Sequence, residues 1–160
     1  TQFDAQLIIK VIDTDGKEIK QFVEVVQVPA NSSETYFNMP KAQFLKGVKA
    51  NQQFVVVELL KDGSIVSRNT LFFNSLKDFN VPKADVQYEI AQSEDGFDIS
   101  LTSNKLAKNA FLTIGDEKGF FSDNYFDILP GETVKIKLKT TISKDKLNEV
   151  FAIQTLDQSY

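Results

Sequence analysis

The sequence contains no cysteine, no histidine and no tryptophan, and only one methionine. Without thiols there are no disulfides, thiol nucleophiles or thiolate metal sites. Without imidazoles there are no imidazole metal sites and no Ser-His or Cys-His catalytic pairs. Lack of cysteine does not identify a compartment, because a reduced cytosol and a cysteine-free periplasmic protein look alike. No run reaches the 18 or so apolar residues of a membrane helix, and Thr1 begins mid-pattern without a charged and then apolar leader. The chain is therefore expected to be a piece of something longer. Basic residues are outnumbered, 18 Lys and Arg against 22 Asp and Glu, for a net charge of -4. Such a chain has no basic field for phosphate backbones or anionic lipid, so neither nucleic acid nor membrane is an expected partner, and no cofactor is expected.

What is present favours strands. The 160 residues are 42% hydrophobic and 25% charged, with 14 Phe and many Val, Ile and Leu. That is enough apolar mass for a core, of a kind that suits pleated surfaces. Leu7 to Ile12 and Glu18 to Val28 read as two strands around an Asp15-Gly16 turn. Pro29 to Ser33 breaks the pattern, Thr35 to Asn38 can resume it as a short strand, and Pro40 to Lys46 can hold a helical turn. Phe54 to Leu60 is apolar at nearly every position, as in a strand covered on both faces. Lys61-Asp62-Gly63 turns it into Ile65 to Phe73. Asn74 to Asp85 loses periodicity and reads as a linker.

The organisation then restarts with Val86 to Ala91, a turn at Ser93 to Gly96, and an alternating strand at Phe97 to Leu101. Ala110 to Ile114 is a further strand. Thr133 to Lys139 alternates, with Val134, Ile136 and Leu138 inward and Lys135, Lys137 and Lys139 outward. Ser143 to Glu149 suits one helical turn capped by Ser143, and Phe151 to Leu156 closes the chain as a strand. Asp15-Gly16 and Asp95-Gly96 each lie between the first two strands of a half. The predicted fold is thus all-β: two tandem immunoglobulin-like β-sandwiches of like topology, residues 1–79 and 80–160, with five or six short strands each.

Candidate sites are few. Asp13-Thr14-Asp15-Gly16 lacks the ligand spacing of a calcium loop and is expected to be a hairpin turn. Asn31-Ser32-Ser33 matches a glycosylation acceptor, which has meaning only in a eukaryotic secretory chain. Glycoside hydrolysis needs two carboxylates about 5–5.5 Å or about 6.5–9.5 Å apart. The acids here, such as Asp62, Glu94, Asp95, Asp116 and Glu117, fall mostly in turns and read as solvated. The outward lysines of Thr133 to Lys139 suit an edge strand that resists aggregation. Tyr36, Tyr88, Tyr125 and Tyr160 are the tyrosines that could carry a sugar. Gly119 to Glu132, GFFSDNYFDILPGE, crowds four aromatics around Asp123 and Asn124. It reads first as a structural corner that buries aromatics, and second as a ligand or interdomain contact through Phe120, Asp123, Asn124 and Tyr125.

Phe121 to Glu132 resembles the FSDNYFDLLPGE signature in the C-terminal immunoglobulin-like domain of β-mannosidases of glycoside hydrolase family 2. Lys61 to Asn69, with Phe72-Phe73 and Lys77-Asp78-Phe79, is similar to the end of the preceding domain in those enzymes, the mannosidase immunoglobulin/carbohydrate-binding-like domain. Together with the linker these segments cover about a third of the chain. The resemblance implies a parent enzyme with an N-terminal jelly roll, a sandwich, a (β/α) barrel holding two catalytic glutamates, and two trailing sandwiches. None of the barrel motifs occurs here, so no catalytic residue carries over. The chain is expected to be a non-catalytic accessory and docking pair, inactive alone. Its expected partners are the preceding domains of its parent, with a mannose-containing glycan as the ligand the resemblance allows. Family habit places the parent in a periplasm or lysosome, or outside the cell. The competing reading is an autonomous glycan-binding or adhesion module. A third keeps the domains but gives them a β-galactosidase or β-glucuronidase parent.

Overall fold

In a computed structural model that describes residues 2–158, the chain divides into two compact units, Thr1–Asn80 and Val81–Tyr160. In the first unit the long β-branched runs become long strands: β1 (Phe3–Asp13), β2 (Glu18–Val28), β3 (Gln53–Lys61) and β4 (Ser64–Phe72). They form one antiparallel sheet in the order β2-β1-β3-β4. The hairpin between β1 and β2 is closed by Asp13, whose Oδ1 accepts from the backbone N–H groups of Asp15 and Lys17 at 3.0 and 2.8 Å. Gly16 supplies the positive φ the turn needs, +87°. The carboxylate thus serves its own turn, as a hairpin reading requires.

β3 is central and is covered on both faces. On one, Val55 meets Val11 and Val57 meets Ile9 across the β1 register. These side chains pack with Phe22, Phe37, Phe44 and Val48, so the irregular segment between β2 and β3 serves as the second layer. That segment holds only the short helix α1 (Lys41–Phe44), and no strand forms at Thr35 to Asn38. On the other face Phe54 stacks on Phe72, and Phe72 meets Phe79 edge-on at 5.0 Å. Phe79 is buried, and the Asn80 N–H donates to the Asn51 carbonyl at 2.7 Å. The first half of the expected linker therefore belongs to this unit: one aromatic anchors a stretch that looks polar and aperiodic.

The second unit has seven shorter strands: β5 (Val86–Ser93), β6 (Gly96–Ser103), β7 (Ala107–Thr113), β8 (Gly119–Phe121), β9 (Phe126–Ile128), β10 (Thr133–Thr140) and β11 (Ala152–Gln154). Two antiparallel sheets result, β5-β6-β10-β8 and β11-β7-β9. Phe97, Ile99, Leu101, Ile136 and Leu138 from the first sheet pack with Ala110, Leu112 and Ile128 from the second. The alternation in β6 and β10 is the expected one, with inward apolar positions buried and Asp98, Lys135, Lys137 and Lys139 exposed. Helix α2 (Lys144–Val150) is capped by Ser143, whose hydroxyl accepts from the Lys146 N–H, and it buries Leu147. The last strand stops at Gln154, shorter than expected, and gives way to a 3-10 turn at Leu156–Gln158.

Two expectations are corrected here. The halves do not share a topology: the first is a single four-stranded sheet with an irregular second layer, the second a pair of sheets. Nor is β10 an edge strand, because β6 pairs along its length and β8 pairs with its end. Two of its lysines instead meet acids of β6 and the turn before it, Lys137 with Asp98 at 3.0 Å and Lys139 with Asp95 at 3.4 Å.

Candidate functional site

In the second unit, residues 119–132 leave one sheet and enter the other. Gly119 faces inward because a Cβ there would lie 2.7 Å from Ile114 Cδ1. Strand alternation then points Phe120 outward and Phe121 toward the core. Ser122 exchanges two bonds with β10: its N–H donates to the Lys137 carbonyl at 2.8 Å, and its Oγ accepts from the Lys137 N–H at 2.9 Å. Asp123 Oδ1 accepts from the Asn124 N–H. Asn124 then acts as a substitute strand residue. Its Oδ1 accepts from the Leu112 N–H at 2.8 Å, and its Nδ2 donates to the Leu112 carbonyl at 2.9 Å. Within three residues the chain is fastened to β10 by Ser122 and to β7 by Asn124.

Tyr125 follows at φ +60°, a left-handed conformation costly for an aromatic residue. Its N–H donates to Asn124 Oδ1, and its ring stacks on Phe111 at 4.8 Å. Phe126 packs against the core while Ile128 and Leu129 are both buried, so strict alternation fails at the end of the segment. Asp127 takes Lys108 Nζ on its two oxygens at 2.8 and 2.9 Å and also accepts from the Asn109 N–H. This pins the irregularity in β7 between Ala107 and Ala110. The Glu132 N–H donates to the Leu129 carbonyl, and Gly131 has φ +75°. Pro130 and Gly131 thus occupy the central positions of a type II turn.

The four residues singled out as a contact do not form one pocket lining. Asp123 and Asn124 are committed to the turn, whereas Phe120 and Tyr125 stand out of it, 69% and 68% exposed. Phe120 pairs with Lys139 of β10, and Tyr125 lies over β7. Of the remaining tyrosines, Tyr36 is half-buried, Tyr88 packs its ring edge-on to Phe151 at 5.0 Å, and Tyr160 lies outside the described residues. Asn31 is exposed in its turn.

One charged site escaped the sequence reading. Glu58 is buried on β3, where Lys10 Nζ donates to its Oε2 at 3.1 Å and Arg68 Nε to its Oε1 at 2.9 Å. Burial pushes its carboxyl up, but the bonds from Arg68 and Lys10 outweigh that effect and hold it below its ordinary value of 4.5. The available signal was a lone charge inside Phe54 to Leu60, since a strand covered on both faces holds a carboxylate only with partners. Among the described residues no three acids are placed to hold a metal ion. Nor is Glu58 poised as a general acid, because both of its oxygens already serve cations.

The structure defines two all-β units in which carboxylates such as Asp13, Glu58 and Asp127 hold strands and turns together. Residues 1–78 match the mannosidase Ig/CBM-like domain family, and residues 81–159 match an Ig-fold domain family of mannosidases. The chain is 30% identical over 139 residues to a β-mannosidase of Bos taurus and 31% identical over 141 residues to one of Rattus norvegicus. In each case 83% of this chain is covered but only 16% of the relative. The crystal structure of a β-D-mannosidase from Dictyoglomus thermophilum is similar in fold, with a TM-score of 0.77 at 21% identity. That likeness covers 97% of this chain and 19% of the other. The chain belongs to the C-terminal accessory domains of the glycoside hydrolase family 2 β-mannosidases. It spans about a sixth of the length of the curated relatives it matches.

Proposed function

We propose that the chain is the structural and docking end of a retaining exoglycosidase acting on β-mannosides, with the bond-breaking carboxylates in preceding domains of the same parent. The observation that carries this is the Gly119 to Glu132 stretch. It bears the family's signature, yet its polar side chains are spent on joining two sheets of one domain. We place the domain border between residues 79 and 80. The separate family matches, 1–78 and 81–159, fall on either side of that border, and the compact units divide one residue later, after Asn80. Phe120 and Tyr125 remain the residues through which the second domain can meet a ligand or the rest of the parent.

The test is hydrolysis of an aryl β-mannoside by the purified chain. No turnover is expected. Turnover that co-purifies with the chain through a second, unrelated column would overturn the reading, and joining the chain to its preceding domains should restore hydrolysis.

A further inference from the structure

We propose that the second unit carries a sugar-binding subsite built on Phe120, with Asp95, Lys139 and Thr140 around it, that takes a neutral pyranose of a β-mannosyl oligosaccharide. The choice of sugar rests on the β-mannosidase reading above. Four observations converge. Phe120 stacks on no other aromatic ring among the described residues, and its ring is 69% exposed beside its cross-strand neighbour Lys139, so its face is open to a ligand. Its orientation is fixed by packing, because Gly119 must face Ile114 and Phe121 lies against the core.

Beside the ring lies a 500 Å³ hollow lined by Asp95, Lys118, Gly119, Lys139, Thr140 and Thr141. It is an open depression in the surface, suited to a sugar ring laid against Phe120 rather than to an enclosed ligand. The wall of this hollow is held by the backbone. The Thr140 N–H donates to the Asp95 carbonyl at 3.2 Å, and the Thr140 hydroxyl donates to the Lys118 carbonyl at 2.7 Å. Gly96 presses the turn so close to β10 that a Cβ there would lie 2.2 Å from the Leu138 carbonyl oxygen.

This geometry sets the Asp95 carboxylate 3.4 Å from the Lys139 ammonium while both remain about two-thirds exposed. A pyranose has one face of C–H groups and a rim of hydroxyls. The ring of Phe120 suits the face, and an adjacent acceptor and donor suit two neighbouring hydroxyls. The charged rim of Asp95, Lys118 and Lys139 disfavours a wholly apolar ligand. Because the turn and β10 are already bonded to each other, little ordering is left for binding to supply.

The experiment is a titration of the 160-residue chain with β-1,4-mannotriose, followed by amide chemical shifts. Saturable shifts confined to residues around Asp95, Phe120 and Lys139 are expected. Phe120→Ala should weaken binding at least tenfold with an unchanged melt, since the ring is exposed. Asp95→Asn should weaken it with the shape kept, and Tyr125→Ala should bind as the parent chain does. No saturable shift in the folded chain overturns the subsite. So does binding that survives Phe120→Ala, or that is lost with Tyr125→Ala. A silent titration leaves the accessory reading standing, because that reading is decided by the hydrolysis assay.

Discussion

At the scale of single residues, each special position has a stated geometric reason, and that makes its loss measurable. Asn124→Ala removes two bonds to Leu112 and should cost about 1–3 kcal/mol, because both backbone groups of Leu112 lose their partner. An equal fall in stability for Asn124→Leu is expected; an unchanged urea midpoint in either variant would show that water replaces the side chain without loss. Gly96→Ala should be worse, since the added carbon cannot coexist with the Leu138 carbonyl oxygen 2.2 Å away. A loss of several kcal/mol, or failure to fold, is expected.

Glu58 gives a pH prediction with a definite sign. Its carboxyl titrates below 4.5 in the folded chain, so its stabilising effect is complete above that ordinary value and is lost as pH falls through the lower, folded value. Glu58→Gln should lower stability at neutral pH by about 1.5–3 kcal/mol, the range for hydrogen bonds to charged groups. It should also flatten the acid limb of the urea midpoint. A variant with the same acid slope as the parent chain would assign that slope to other carboxylates.

At the scale of elements, the second unit separates covering roles from fastening roles. Helix α2 is only two turns long and is fixed by its cap and Leu147. Ser143→Ala should therefore cost about 1 kcal/mol, read as a fall in melting temperature. Phe126→Ala should cost about 2–4 kcal/mol, somewhat below the 3–5 kcal/mol of a fully enclosed ring, because Phe126 is only partly buried. An unchanged melt would mean that the ring contributes no packing.

The elements also show what the sequence could express. β2, β6 and β10 were legible because alternation or a long apolar run is a local signal. The missing strand at Thr35 to Asn38 was not, since Phe37 is drawn onto the sheet as irregular cover and its backbone pairs with nothing. Outward lysines on β10 suggest an edge from sequence alone. Strand order depends on where β8 lands, and three residues carry no periodicity that would reveal it. The sequence marks Phe120, Asp123, Asn124 and Tyr125 only as a crowded stretch; the split between committed Asn124 and exposed Phe120 follows from a crossing between sheets that no local pattern encodes.

At the scale of the whole molecule, each unit is near 80 residues and buries only about 60% of its unfolded surface, so modest losses in either one should be visible. The acid sensitivity set by Glu58 belongs to the first unit, while Asn124, Gly96 and Phe126 belong to the second. Amide signals followed during acid titration should show first-unit residues broadening or shifting to unfolded positions as pH falls, at the same or a higher pH in Glu58→Gln, whose first unit starts less stable and loses less of its stability on acidification. Simultaneous loss of both units at every pH would mean that they unfold as one body. The family relationship fits this division of labour. A domain pair that spans 16% of its relatives can retain its character through internal fastening.

The bond from the Leu112 N–H to Asn124 Oδ1 has a kinetic consequence. A backbone proton near the end of β7 is shielded by a side-chain amide, with no neighbouring strand as its acceptor. Its exchange with deuterated solvent therefore times one event, the release of the crossing segment, and does so separately from fraying of β7 at its pairing with β11. In Asn124→Ala that single proton should exchange fastest of those in the strand, which makes Leu112 an internal clock for the opening of the domain.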